Sequence, residues 1–160
     1  MAAEPEILDE LRRLRSRVPY LTGALAATVD GLVLAQDTPG VEPESMAALT
    51  AAALGIAVRL ADTAGQGDFR ELAVRCAYGY VATYSAGRTA VLTLLAQDRV
   101  TVGRLHLEGR RSGIRIGELV DSRTPVEPPV KPAAAPRTTT ARSRTARPPR
   151  TANARTSTES

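Results

Sequence analysis

The sequence is poor in the side chains that carry most enzyme chemistry. It contains one histidine, His106, one cysteine, Cys76, one phenylalanine and no tryptophan. Zinc sites draw on several Cys and His ligands, so this supply argues against a structural zinc site. A single cysteine also cannot form a disulfide within the chain. We interpret Cys76 as a small buried hydrophobe and His106 as a surface or packing residue, and we expect no catalytic residue, metal or cofactor.

Motifs that bind nucleotides or activate a nucleophile are also missing. There is no G-x-x-x-x-G-K-[ST] loop, and Gly65-Gln66-Gly67 lacks the third glycine of a dinucleotide loop because Arg70 stands in its place. Ser85, Asp98 and His106 could be written as a triad, but no G-x-S-x-G surrounds the serine. The sequence therefore favours a protein that is not an enzyme.

Long apolar runs are scarce as well. No run approaches the roughly 20 residues of a membrane span, and the first residues lack the basic and then apolar layout of a signal peptide. A lone cysteine suits a reducing compartment. We expect a soluble, cytoplasmic protein, associated with membranes only through its partners.

Charge and composition divide the chain in two. Residues 1–120 hold 13 Lys and Arg against 14 Asp and Glu, whereas residues 121–160 hold 8 against 3. The second part is rich in Pro, Thr and Arg, and residues 137–155 have no large apolar side chain. Such a composition cannot offset the entropy of ordering a backbone. The prediction is one folded domain, 1–120, followed by a disordered basic tail, 121–160.

The basic tail is compatible with several partners. Its arginines could neutralise the phosphates of a nucleic acid, although the tail has no aromatic residue to stack on a base. It equally suits an anionic membrane surface or an acidic protein. The plainest alternative is a solubilising linker.

Apolar periodicity predicts the order helix, two strands, helix, three strands, helix. The predicted helices cover 5–18, 43–67 and 98–120, and the predicted strands cover 21–29, 32–35, 69–76, 78–85 and 89–96. Asp30-Gly31 between the first two strands predicts a type I′ hairpin turn. The last strand is apolar on both faces, as expected of a central strand. The last helix carries one apolar stripe, but its glycines weaken it.

The central helix has two apolar faces rather than one. One face carries Met46, Leu49, Ala53, Ile56, Ala57 and Leu60, and this spacing predicts that it sits on the sheet. The opposite face offers Ala48, Ala51, Ala52 and Gly55 before Arg59 and Asp62. Small side chains let a second backbone approach, so we expect this face to pack on a copy of itself. The alternative is an alanine-rich solvent face, since alanine is the best helix former.

Three segments together resemble the roadblock family, whose members include dynein light chains. They are LTGALAATVDGLVLA (21–35), the small-residue central helix, and VGRLHLEGRRSGIRIGELV (102–120). The match looks closest to actinobacterial roadblock proteins encoded beside Ras-like GTPases, and it covers about residues 6–120. The resemblance implies an α/β (α+β) sandwich of roadblock/profilin-like type, with a five-stranded antiparallel sheet between helices.

The resemblance also implies a function. Family members commonly regulate or scaffold small GTPases as homodimers, without supplying a catalytic residue, and pair through the central helix and the middle strand. On this chain the implied interface is Ala48, Ala51, Ala52, Gly55 and Arg59 with Glu71, Ala73 and Arg75. Two alternatives stay open. The chain could be a dimeric anchor whose tail binds nucleic acid, membrane or an acidic partner, or it could resemble a family branch labelled a protease inhibitor.

Overall fold

The structure is a computed structural model that describes residues 3–122. Its elements are α1 (Ala3–Arg17), β1 (Leu21–Thr28), β2 (Val33–Asp37), α2 (Pro43–Thr63), β3 (Glu71–Cys76), β4 (Gly79–Ala86), β5 (Ala90–Gln97) and α3 (Val102–Asp121). The predicted order of helices and strands is confirmed. The prediction of a disordered basic tail lies, apart from its first two residues, outside the described part.

The five strands form one antiparallel sheet in the order β2-β1-β5-β4-β3. The predicted central strand is confirmed, because β5 pairs with β1 on one side and with β4 on the other. Its side chains are buried on both faces, as expected of a strand that is apolar on both faces apart from Thr93. Strand β3 pairs with β4 alone among the described strands, so one of its edges is free.

The loop between β1 and β2 differs from the predicted type I′ turn. That turn needs positive φ at both central residues, and among the described residues Tyr20 is the only non-glycine with positive φ. Instead, the Gly31 amide donates to the Thr28 carbonyl at 2.9 Å and Gly31 adopts φ 87°. The glycine therefore follows the turn in the left-handed region, and the loop covers residues 29–32.

Helices α1 and α3 cover one face of the sheet and enclose the main core. The core includes Ile7, Leu11 and Leu14 from α1, Leu92 and Leu94 from β5, and Leu105 and Ile116 from α3. The stripe predicted for α3 is confirmed: its four central members, Leu105, Gly109, Ser112 and Ile116, are buried, and its two end members, Val102 and Leu119, are half-buried.

A row of glycines brings α3 directly onto β4. A Cβ on Gly109 would lie 2.5 Å from the Tyr84 ring, and one on Gly113 would lie 2.8 Å from the Ser85 carbonyl oxygen. A Cβ on Gly117 would lie 2.7 Å from the Cα of Gly87. These spacings leave no room for a methyl group. The glycines that lower helix propensity thus allow the closest packing in this layer.

A buried polar cluster fastens α1 to α3. Ser112 donates to Glu10 Oε1 at 2.7 Å, and Arg17 Nη2 donates to the same oxygen at 2.8 Å. Arg17 Nε also lies 3.2 Å from Glu108 Oε2. Glu10 and Glu108 are only 6% and 8% exposed. Arg17 thus lies between two buried carboxylates, and Arg13 and Arg111 lie 3.9 and 3.5 Å from Glu10 and Glu108, so both carboxylates are paired as buried charges require.

The termini of α2 follow from its sequence. Proline at the first helical position costs no hydrogen bond, and the Glu42 carboxylate caps the helix by accepting from the amides of Glu44 and Ser45 at 3.2 and 2.6 Å. Gly65, with φ 64°, follows the last turn. By length and composition alone, α2 could also cross a membrane. The expectation that no segment is long enough is therefore wrong, although one such helix is weak evidence for a membrane span.

Candidate functional site

Helix α2 lies on the other face of the sheet, in a different orientation from the predicted one. Only Ala47 and Thr50 are buried, and Ala47 packs with Leu25, Ala27 and Val91 of the sheet. Three of the large side chains assigned to the sheet face are instead exposed: Leu49, Ile56 and Leu60 are 66%, 63% and 65% exposed, whereas Met46 is half-buried and packs on this cluster. At 3.6 residues per turn, the face of α2 that contacts the sheet lies roughly a quarter turn away from the predicted face. The reason is that small side chains make this contact.

A row of buried threonine hydroxyls fixes this orientation. Thr50 Oγ1 lies 3.1 Å from Thr93 Oγ1 on β5, which lies 3.3 Å from Thr83 Oγ1 on β4. Helix α2 otherwise packs mainly on β1 and β2, so β4 and β3 are largely uncovered on this face. On the helix, Leu49, Ile56 and Leu60 flank Thr50. They therefore border the uncovered part of the sheet.

The opposite flank of α2 packs on a backbone within the same chain. A Cβ on Gly31 would lie 3.3 Å from the Cα of Ala48 and 3.4 Å from the Cβ of Ala51. The backbone that approaches Ala48 and Ala51 is therefore that of the β1–β2 loop. Further along the helix, a Cβ on Gly55 would have no atom within 4 Å.

Strand β3 is exposed on both faces. The sequence predicted one covered face with Leu72, Val74 and Cys76, but Val74 is 46% exposed and Cys76 is also exposed. The interpretation of Cys76 as a buried hydrophobe is therefore wrong. The physical reason is that α2 does not extend over this edge of the sheet. An open apolar region thus runs from α2 to the free edge of β3.

The predicted interface residues lie in two groups on opposite faces of the sheet. Ala48, Ala52, Gly55 and Arg59 are exposed on α2, and Ala51 is half-buried. Glu71, Ala73 and Arg75 pair with Tyr84, Ala82 and Tyr80 and share the α3 side with them. The single chain therefore does not bring the two groups together. The predicted interface itself stays a prediction.

A polar network that the sequence did not indicate joins β3 to α3. Arg110 Nε and Nη2 donate to the two Glu71 carboxylate oxygens, each at 2.7 Å. His106 Nδ1 lies 3.0 Å from the Tyr84 hydroxyl and 3.6 Å from Glu71 Oε1. The His106 prediction is consistent with this packing role. The i, i+4 spacing of His106 and Arg110 shows that they share a face of α3, but their partners are too distant in sequence to be inferred.

Ionisation in this network follows from its contacts. The hydrogen bonds from Arg110 lower the pKa of Glu71, and the same pair raises the pKa of Arg110. Burial raises the pKa of the Tyr84 phenol. The pair is therefore charged and the phenol neutral near neutral pH. Within residues 3–122 no three His, Cys, Asp or Glu side chains converge as metal ligands would.

The geometry defines a three-layer α/β protein, with one sheet between a helix pair and a single, poorly buried helix. A family model described as Roadblock/LC7 domain matches residues 7–96. The chain belongs to the Roadblock/LC7 family, and the predicted resemblance and fold class are confirmed.

Similar proteins agree with this fold. Two uncharacterised proteins of Methanocaldococcus jannaschii are each 29% identical over 111 residues, or 69% of this chain and 96% of the relative. A structure of MglB with a tetrameric arrangement aligns with a TM-score of 0.71 at 21% identity, covering 76% of this chain and 93% of that chain. The Roadblock/LC7 domain from Streptomyces avermitilis aligns with a TM-score of 0.66 at 24% identity, covering 71% and 97%.

Proposed function

We propose that this chain is a homodimeric binding module that regulates or scaffolds a small Ras-like GTPase. The observation that carries the proposal is the exposed apolar stripe Leu49, Ile56 and Leu60, beside the free edge of β3. Contiguous exposed apolar surface marks interaction sites, and an unpaired strand edge is a template for another strand.

A second copy of the chain is the occupant that suits both features at once. In this dimer the two β3 edges pair antiparallel and join the two sheets. The two α2 helices together cover the region of each sheet that a single α2 leaves open. A face used this way is self-complementary, as a two-fold interface must be. The similar MglB structure has a tetrameric arrangement, which supports self-association as a trait of this fold.

A GTPase is the proposed partner because members of the family commonly bind such proteins across their paired central helices. The module acts by binding, without supplying a catalytic residue, in the cytoplasm, where the exposed thiol of Cys76 remains reduced. It biases the GTPase only if it binds one nucleotide state more tightly than the other.

The dimer is tested with two single variants of α2 that distinguish its two flanks. Ile56→Glu places a charge in the large apolar stripe, and Gly55→Glu places one on the small-residue flank. We expect Ile56→Glu to yield monomers by light scattering, because an unpaired charge cannot be buried in an apolar interface. Leu107→Glu is the control, since Leu107 is a 48% exposed leucine on α3. A dimer that survives Ile56→Glu and Gly55→Glu, or a wild-type monomer, would reject this interface.

Partner binding is tested by calorimetry with a Ras-like GTPase from the same genome, loaded in turn with GDP and with a non-hydrolysable GTP analogue. We expect measurable affinity for at least one form and a difference between the two. The monomeric variant should bind more weakly, because the proposed surface spans both α2 helices. No binding to either form would reject the GTPase as partner and leave the dimer result standing.

A further inference from the structure

A second surface lies on the α3 side of the sheet. It is a cleft of about 420 Å³ between α3 and strands β3 and β4, lined by Arg70, Glu71, Tyr84, Ser85, Arg110 and Ile114. Its volume falls in the range of ligand pockets, roughly 300–1,000 Å³. The Tyr84 side chain is buried, whereas Ile114 is 64% exposed at the edge. The cleft is mostly apolar and open along one side.

One positive charge in the cleft is uncompensated. Glu71 is engaged by Arg110 through two hydrogen bonds of 2.7 Å. The guanidinium of Arg70, an exposed residue, makes no hydrogen bond or ion pair with any residue in the range 3–122. A free guanidinium beside an apolar wall matches a carboxylate attached to an apolar group, because arginine binds carboxylates through two parallel hydrogen bonds.

The cleft is also held open by its surroundings. Gly109 and Gly113 seat α3 on Tyr84 and Ser85 with no space for a methyl group, and the Glu71–Arg110 pair links β3 to the same helix. A site fixed in this way loses little conformational freedom when it binds. Since α2 lies on the other face of the sheet, the cleft does not include the apolar stripe of α2, and it adjoins the proposed dimer only where Glu71 begins β3.

We propose that this cleft docks a short acidic segment of a partner protein. A large apolar side chain of the segment enters between Tyr84 and Ile114, and a neighbouring Asp or Glu carboxylate pairs with Arg70. An extended peptide suits the shape better than an enclosed small molecule, because the cleft is open along one side.

The proposal is tested by selecting a displayed library of random ten-residue peptides on the full chain. We expect the retained peptides to combine Asp or Glu with an adjacent Leu, Ile, Phe or Tyr. By fluorescence anisotropy, a retained peptide should bind Arg70→Glu and Ile114→Asp about ten-fold or more weakly, equivalent to 1.4 kcal/mol. Replacing its acidic residues with Gln or Asn should have a similar effect.

Arg104→Glu is the charge-reversal control, because Arg104 is exposed like Arg70 but lies on α3 and does not line the cleft. Far-UV circular dichroism verifies that each variant is folded. Selection of no peptide, or peptides that bind Arg70→Glu and Ile114→Asp as tightly as wild type, would overturn the proposal. So would Arg70-dependent binding to phosphatidylserine vesicles without peptide binding. Ile56→Glu should leave peptide affinity unchanged, which separates this result from that for the dimer.

Discussion

Helices α2 and α3 pack on opposite faces of the same sheet but bury very different side chains. Helix α3 buries Leu105, Ile116 and three glycines along one stripe, whereas α2 buries only Ala47 and Thr50. The helix with the more apolar sequence is the one left exposed. Apolar content alone therefore does not decide which helix joins the core of a single chain.

The distance between each helix and the sheet explains why α3 buries more of its side chains than α2 does. The glycines of α3 bring its backbone against β4, so the side chains next to them reach the core. Helix α2 approaches over Ala47 and is oriented by the hydroxyl contact of Thr50, which leaves Leu49, Ile56 and Leu60 exposed on the flank. The α3 face encloses the main core within one chain, and the α2 face has apolar surface for a second copy.

The largest expected effect is on the α3 side, from Arg17→Met. This change removes the positive charge between Glu10 and Glu108 and keeps most of the side-chain volume. We expect the free energy of unfolding to fall by about 3 kcal/mol, at the lower end for a broken buried pair, because the Arg17 side chain is 41% exposed. Urea denaturation at fixed chain concentration measures the loss.

Arg12→Met serves as the control for that variant. Arg12 lies on the same helix and pairs with Asp9 at 3.9 Å, with both side chains mostly exposed. Exposed pairs contribute roughly 0–1 kcal/mol, so its loss should be small. Equal losses in the two variants would show that the buried cluster does not hold α1 to α3.

A glycine-to-alanine pair compares the two helices directly. Gly117→Ala should destabilise the protein by about 2 kcal/mol, because the added methyl overlaps the backbone of Gly87 and overpacking has costs of this size. Gly55→Ala should instead stabilise it by about 0.5–1 kcal/mol, since the methyl has open space and alanine is the better helix former. Thermal unfolding of both variants measures whether each substitution lowers or raises the stability.

Gly103→Ala extends the comparison within α3. A Cβ at Gly103 has no atom within 4 Å, so the substitution should not destabilise the helix that Gly117→Ala disrupts. If Gly117→Ala, Gly55→Ala and Gly103→Ala all lose the same stability, the glycines of α3 do not act by allowing close packing on the sheet.

The sequence predicts most of the fold and little of the site. Periodicity located the elements and the central strand, because burial on both faces of β5 gives it apolar residues on both faces. It misplaced the faces of α2, since Leu49 and Ile56 have core-like spacing whether they meet the sheet or a partner. The Glu71–Arg110 pair has no sequence signature, because only the fold brings β3 beside α3.

The smallest expected effect concerns the start of α2. Its cap, the Glu42 carboxylate, has a pKa lowered from 4.5 to about 2 by hydrogen bonds from Glu44 and Ser45. Between these values the unfolded chain binds more protons at this group, so its contribution to stability is present above about pH 4.5 and is lost as the pH falls toward 2. Glu42→Gln should flatten this part of the stability profile. Unfolding monitored from pH 5 to pH 2 in both proteins checks it, and identical slopes would show that the carboxylate does not cap α2.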